Sequence, residues 1–186
     1  MNWKETWKSK WENQPLLMLL TIVIWGIFIG LCIKAGALLF TTVYSLFDPS
    51  VAKDLYEGLD MSVVREWHTG YYLAAMSLLL GVLAAKAYIF YLVIRIFLKI
   101  DLIHPFSKEV SDLISKIGEV TLQVGILIII ASRYFKWLSV RTIHSPDLGF
   151  FLGGAFEFLI MGAVIYAIAV VFRRGVEIQA DNDLTV

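Results

Sequence analysis

Residues 16–33 read LLMLLTIVIWGIFIGLCI, without one charged side chain. An apolar stretch of about 18 residues or more is long enough to cross a bilayer as a helix. Read outward, the stretch begins after Pro15 and continues to Phe47 with a single charge, Lys34. At 1.5 Å rise per residue, a helix over 15–47 is roughly 50 Å long, against a hydrocarbon core of about 30 Å. Its far end is therefore expected to project beyond the membrane.

The rest of the chain repeats the pattern. Apolar segments cover about 71–98, with Lys86 inside, 110–137, and 149–172, with Glu157 inside. Of the 186 residues 59% are hydrophobic and the mean hydropathy is +0.74, above the roughly 45–50% of a globular chain. The reading is an all-α integral membrane protein, a four-transmembrane-helix bundle, with the membrane domain over 15–179. A short interfacial amphipathic helix over 1–14 precedes it and a cytoplasmic tail over 180–186 follows.

Local signals refine the boundaries. Asp48-Pro49 reads as an N-cap followed by proline at the first helical position, and Gly58 as a stop, which places a short helix between the first two spans. No proline interrupts Met61 to His104, so one long helix is expected there, ended by Pro105 because the residue before a proline disfavours the α region. The third segment starts amphipathic, with Val110, Leu113, Ile114 and Ile117 on one stripe and Ser107 as its N-cap. Gly26-x-x-x-Gly30, Gly81 with Ala84 and Ala85, and Gly149-x-x-x-Gly153 are small-residue patterns for close helix packing in lipid.

The first residues place Trp3, Trp7 and Trp11 four apart with Lys4, Lys8 and Lys10 between them. At 100° per residue these tryptophans drift only about 40° per step and share one helical stripe. They serve either as aromatic anchors at the headgroup level or as a docking face for a partner helix. The lysines and the small residues around Gly36 resemble a secretory leader, but the apolar run is too long and Lys34 abuts the would-be cleavage site, so cleavage is not expected.

Four spans put both termini on one side, with Arg95, Lys99, Lys108, Lys116, Arg173 and Arg174 beside the N-terminal lysines. The other side holds Lys53, Arg65, Arg133, Lys136 and Arg141. The positive-inside rule then places both termini in the cytoplasm.

Charges inside spans are expensive and face protein or water. Lys34, Lys86 and Glu157 qualify, with Glu119 at the inner boundary, and together they form a candidate intramembrane charge network. Depth counted along each helix brings Glu157 closest to Lys34 and Lys86 closer to Glu119. An ion pair between Glu157 and Lys34 is therefore expected, unless Lys34 snorkels to the interface. Gly153 and Gly154 lie on the face of Glu157 and would let another helix approach it.

Little points to enzyme chemistry. The single Cys32 and the scattered His68, His104 and His144 lack metal-ligand spacing. Walker, HExxH and GxSxG motifs are absent, and His144-Ser145-Pro146-Asp147 reads as a turn. No catalytic residue, cofactor or metal is assigned. With a net charge of zero nothing suggests a polyanion partner, and no direct nucleic-acid contact is expected.

His104-Pro105-Phe106-Ser107 followed by a run to Ile117-Gly118 resembles a PFS…IG signature. Phe172-Arg173-Arg174-Gly175 through Asp181-Asn182-Asp183-Leu184-Thr185-Val186 resembles an ending in DLTV. Both are similar to the bacterial membrane-protein family catalogued as domain of unknown function 2975. The resemblance implies a four-span protein of the bacterial inner membrane without assigned chemistry, and a small helix-turn-helix regulator as companion.

The function expected is that of a non-enzymatic regulatory or interaction component. Trp3, Trp7, Trp11 and the apolar tip Leu184-Thr185-Val186 are its candidate partner-binding residues. A cytoplasmic protein, a second copy and the bilayer are its candidate partners. The rival reading is a small ligand-binding or transport unit built on Lys34, Lys86 and Glu157, recognisable by a water-filled cavity that reaches them.

Overall fold

The structure, a computed structural model, describes residues 15–99, 107–142, 146 and 148–183, with side chains described as far as residue 179. The tryptophan stripe at 3, 7 and 11, the His104-Pro105-Phe106 part of the signature, the turn residues His144, Ser145 and Asp147, and Leu184 to Val186 lie outside the described residues. Along the chain come α1 (Pro15–Phe47), a 3-10 helix (Pro49–Lys53), α2 (Ser62–Trp67), α3 (Thr69–Lys99), α4 (Lys108–Thr142), α5 (Gly149–Leu152) and α6 (Ala155–Asp183). Among the described residues there is no strand. Four helical segments are long and apolar enough to cross a membrane, the last running from Gly149 through the α5–α6 break. This is a multi-pass membrane protein. α6 continues into the tail as far as Asp183.

The long helices touch in the order α1–α3–α4–α6, with α4–α6 the most extensive contact. Half of the most apolar window of α4 is buried, and none of that of α1. Glycines explain the tight pair. A Cβ added at Gly118 would lie 2.9 Å from the Tyr166 backbone nitrogen, and one at Gly162 would lie 2.8 Å from that of Leu122. At Gly125 it would sit 2.8 Å from the Leu159 side chain. Gly118 and Gly125 are seven residues apart, close to two full turns, and so share one stripe of α4. The small-residue patterns singled out in the sequence behave differently. At Gly26 and Gly30 a Cβ would meet nothing within 4 Å, at Gly81 it would make ordinary contact with Leu127, and at Gly153 it would meet the Gly149 carbonyl of its own turn.

The segment from Asp48 to His68 folds as a cap over one end of the helices. Ser50 donates its hydroxyl and its backbone N–H to the Asp48 carboxylate, which holds that carboxyl below its usual range and starts the 3-10 helix. Glu57 (φ 51) and Gly58 (φ 78) both occupy the left-handed region, and the turn they make lets Met61 N–H reach the Ala52 carbonyl at 2.7 Å. Ala52, Leu55, Leu59, Met61 and Val64 are thereby buried and join the core.

The helix expected to run unbroken from Met61 is interrupted at His68, whose backbone is extended. Its imidazole Nδ1 accepts from Gly70 N–H at 3.0 Å, so His68 caps the start of α3. A Cβ at position 70 would lie 2.9 Å from the His68 ring, so a larger residue there would push the capping imidazole aside. Around this junction Trp67 stacks on Tyr71, and Tyr71 packs against Trp137, in an aromatic belt at the cap end. Ser107 caps α4 as expected, accepting from Val110 N–H at 3.3 Å.

Candidate functional site

The chemistry-bearing anomaly of this chain is charge inside apolar helices, and the break between α5 and α6 organises it. Gly153 is extended and Gly154 has φ +88, a conformation that L side chains rarely adopt. The break leaves the Phe151 carbonyl without the N–H that a continuous helix would supply, and such a group is costly away from water. Lys86, reaching from α3, donates to that carbonyl at 3.0 Å. Its ammonium also lies 5.3 Å from the Phe158 ring centroid.

Lys34 reaches the same junction from α1. Its Nζ sits 2.9 Å from the centroid of Phe150 and 4.6 Å from that of Phe151, and the residue is only 9% exposed. An ammonium over an aromatic face is attracted by the ring quadrupole, by about 2 kcal/mol or more when desolvated. Two cations from different helices thus meet at Phe151, Lys86 on its carbonyl and Lys34 over its ring and that of Phe150.

Glu157 does not join them. It stands in the first turn of α6 with its side chain exposed, and the expected ion pair with Lys34 is not formed. The break at Gly153–Gly154 explains the difference. It converts a mid-span position into a helix start, where an acidic side chain complements the positive end of the dipole. Glu119 is likewise exposed and pairs at 3.2 Å with Lys116 of its own helix rather than with Lys86. Among the described residues the other ion pairs are Lys99–Glu109, which ties the end of α3 to the start of α4, and Arg174–Glu177 on α6. Lys86 does not sit with Glu119 near the inner boundary: α3, unbroken from Thr69 to Lys99, brings it to the α5–α6 junction, where it meets the Phe151 carbonyl while Lys34 covers the Phe150 and Phe151 rings.

Sequence reading missed Phe150 and Phe151 as the partners of the lysines. The Gly153-Gly154 doublet inside an apolar run was the available signal, since such dipeptides mark turns. A cavity of about 330 Å³ opens beside the break, lined by residues of α4 such as Phe135, Lys136 and Ser139 and by Pro146, Leu148 and Leu152. Neither lysine of the clamp lines it. No group of histidine, cysteine and acidic residues able to hold a metal occurs among the described residues.

A family model described as "Protein of unknown function (DUF2975)" matches residues 49–186, well over half of the chain. No curated protein and no solved structure matches it.

Proposed function

The chain belongs to the DUF2975 family, and from that premise we propose that it is a non-enzymatic regulatory or interaction component of the bacterial inner membrane. In this reading both termini face the cytoplasm and the companion is a small helix-turn-helix regulator. The observation that carries the reading is the open face of α1. This helix contacts α3 and the cap, and the positions of Gly26 and Gly30 look onto empty space. Small residues on a membrane helix let another helix approach closely, so α1 offers an association surface that its own fold leaves uncovered.

The intramembrane charges support this reading over a transport unit. Lys86 and Lys34 are engaged by the α5–α6 junction, Glu157 serves a helix start, and the cavity beside the break is lined by none of the three. A carrier would need such groups free to exchange partners.

Purification from native membranes under mild detergent tests the proposal. A Cβ at Gly26 or Gly30 meets nothing within 4 Å, so with Gly26→Leu and Gly30→Leu the monomer should melt no lower while the co-purifying partner is lost. Removing the last six residues should release a cytoplasmic regulator, and a cytoplasm-dependent reporter fused after Val186 should be active. An unchanged set of co-purifying proteins in both variants would overturn the reading.

A further inference from the structure

At the end of the bundle opposite the cap, the start of α4 and the end of the apolar run of α6 lie side by side. Between them is a cavity of about 460 Å³ lined by Lys108, Ser111, Asp112, Arg173, Val176 and Glu177, a size within the range of small-ligand sites, about 300–1,000 Å³. Ser111 is 2% exposed and its Oγ has no hydrogen-bond partner among the described residues. Buried hydroxyls are almost always paired, so an unpaired one on a cavity wall is a bonding position for something that enters.

The charges around it come in two kinds. Lys108 is the first residue of α4, where the helix dipole favours an anion. Arg173 donates through Nη2 to Ser115 Oγ at 3.1 Å, which holds it against α4, and it makes no ion pair among the described residues. Opposite these, Asp112 has no ion pair among the described residues, and Glu177 is steadied by Arg174 at 2.7 Å. A bare phosphate would be repelled by the two carboxylates, and a bare cation by the two bases. A ligand carrying both charges satisfies all four groups, with Val176 against its connecting carbons.

Depth supplies the source. Arg173 follows Phe172 at the close of the apolar run of α6, and Ser111 opens that of α4, so the cavity sits at headgroup level. We propose that it binds the headgroup of a zwitterionic phospholipid. The phosphate ester faces Lys108, Arg173 and the Ser111 hydroxyl, and the ammonium faces Asp112 and Glu177.

Native mass spectrometry on the full chain in detergent, with phosphatidylethanolamine, phosphatidylglycerol and soluble phosphoethanolamine as probes, tests it. The wild type should retain phosphatidylethanolamine about tenfold better than phosphatidylglycerol, the worth of one charge-assisted contact. Asp112→Asn with Glu177→Gln should erase that preference while both lipids still bind, and Arg173→Gln should weaken both. Ser111→Ala has an opposite signature. Removing an unpaired buried hydroxyl should raise the melting temperature of delipidated protein and reduce the added stabilisation by phosphatidylethanolamine. Equal retention of the two lipids by the wild type would overturn the assignment. So would binding of soluble phosphoethanolamine as tight as that of the lipid, which would make the ligand a water-borne phosphoester.

Discussion

Where α4 meets α6, glycines at 118, 125 and 162 bring the helices so close that an added Cβ would overlap the neighbour. Where α1 meets α3, no glycine makes so close an approach, and a hydroxyl pair crosses the apolar contact instead. Ser45 Oγ donates to the Thr42 carbonyl at 2.7 Å, so the proton in its 2.6 Å bond with Tyr72 comes from the tyrosine. Thr42 in turn donates to the Leu38 carbonyl, and Tyr72 and Ser45 are fully buried. Both pairs lie in apolar helices, yet α1, the most apolar of the four, is the least buried. In lipid, apolar character gives no reason for one helix to prefer another. Close van der Waals fit and interhelical hydrogen bonds decide. The α4–α6 pair uses the first along a long contact, and the α1–α3 pair uses the second near one end, which leaves the other face of α1 free.

The largest expected effect separates the two glycine sets. Gly118→Ala or Gly162→Ala drives a methyl group into neighbouring backbone and should cost about 1–3 kcal/mol, the usual range for overpacking. Gly30→Ala should cost nothing, or gain up to about 1 kcal/mol through helix propensity. Unfolding in detergent measures both, and equal losses would erase the distinction drawn here between packed and open glycines.

Next in size is the lysine clamp. Lys86→Met leaves the Phe151 carbonyl unpaired and should cost about 1–3 kcal/mol, the penalty of a buried unsatisfied group. Glu157→Gln should lose only about 0.3–1 kcal/mol of helix-dipole stabilisation. The cycle combining Glu157→Gln with Lys34→Met should show a coupling near zero, since the two groups do not pair. A coupling above about 1 kcal/mol would return Glu157 to the bundle interior.

The smallest effect probes the polar contact. Tyr72→Phe removes one interhelical bond, yet Ser45 keeps its bond to Thr42, so a loss near 0.6 kcal/mol is expected, the average for such bonds in membranes. A loss as large as that of Gly118→Ala would mean that α1 is held as firmly as α6.

The four spans were legible because the bilayer imposes length and composition locally. Leu16 to Ile33 declares a crossing whatever surrounds it. Caps were legible for the same reason: Ser107 and Asp48 bond to N–H groups two or three residues away. The glycine patterns were not, because Gly26-x-x-x-Gly30 and the pair Gly118 and Gly125 look equally suited to close packing until a neighbour is placed. Glu157 failed through geometry. The helix from Glu157 to Phe172 is unbroken, so depth along it was countable, but the Gly153–Gly154 break just before it makes Glu157 an exposed first-turn residue.

The sequence by itself determined that this chain is helical, crosses a membrane four times and carries two lysines where lysines are costly. Those are properties of single segments set by the solvent around them. Tertiary structure alone decided that Lys34 and Lys86 converge on Phe151, that α6 rather than α1 is clasped by glycine, and that Ser111 lines a polar cavity. Each of these depends on which helices are neighbours, and between equally apolar helices that choice rests on sub-ångström fit and single hydrogen bonds that no one segment contains.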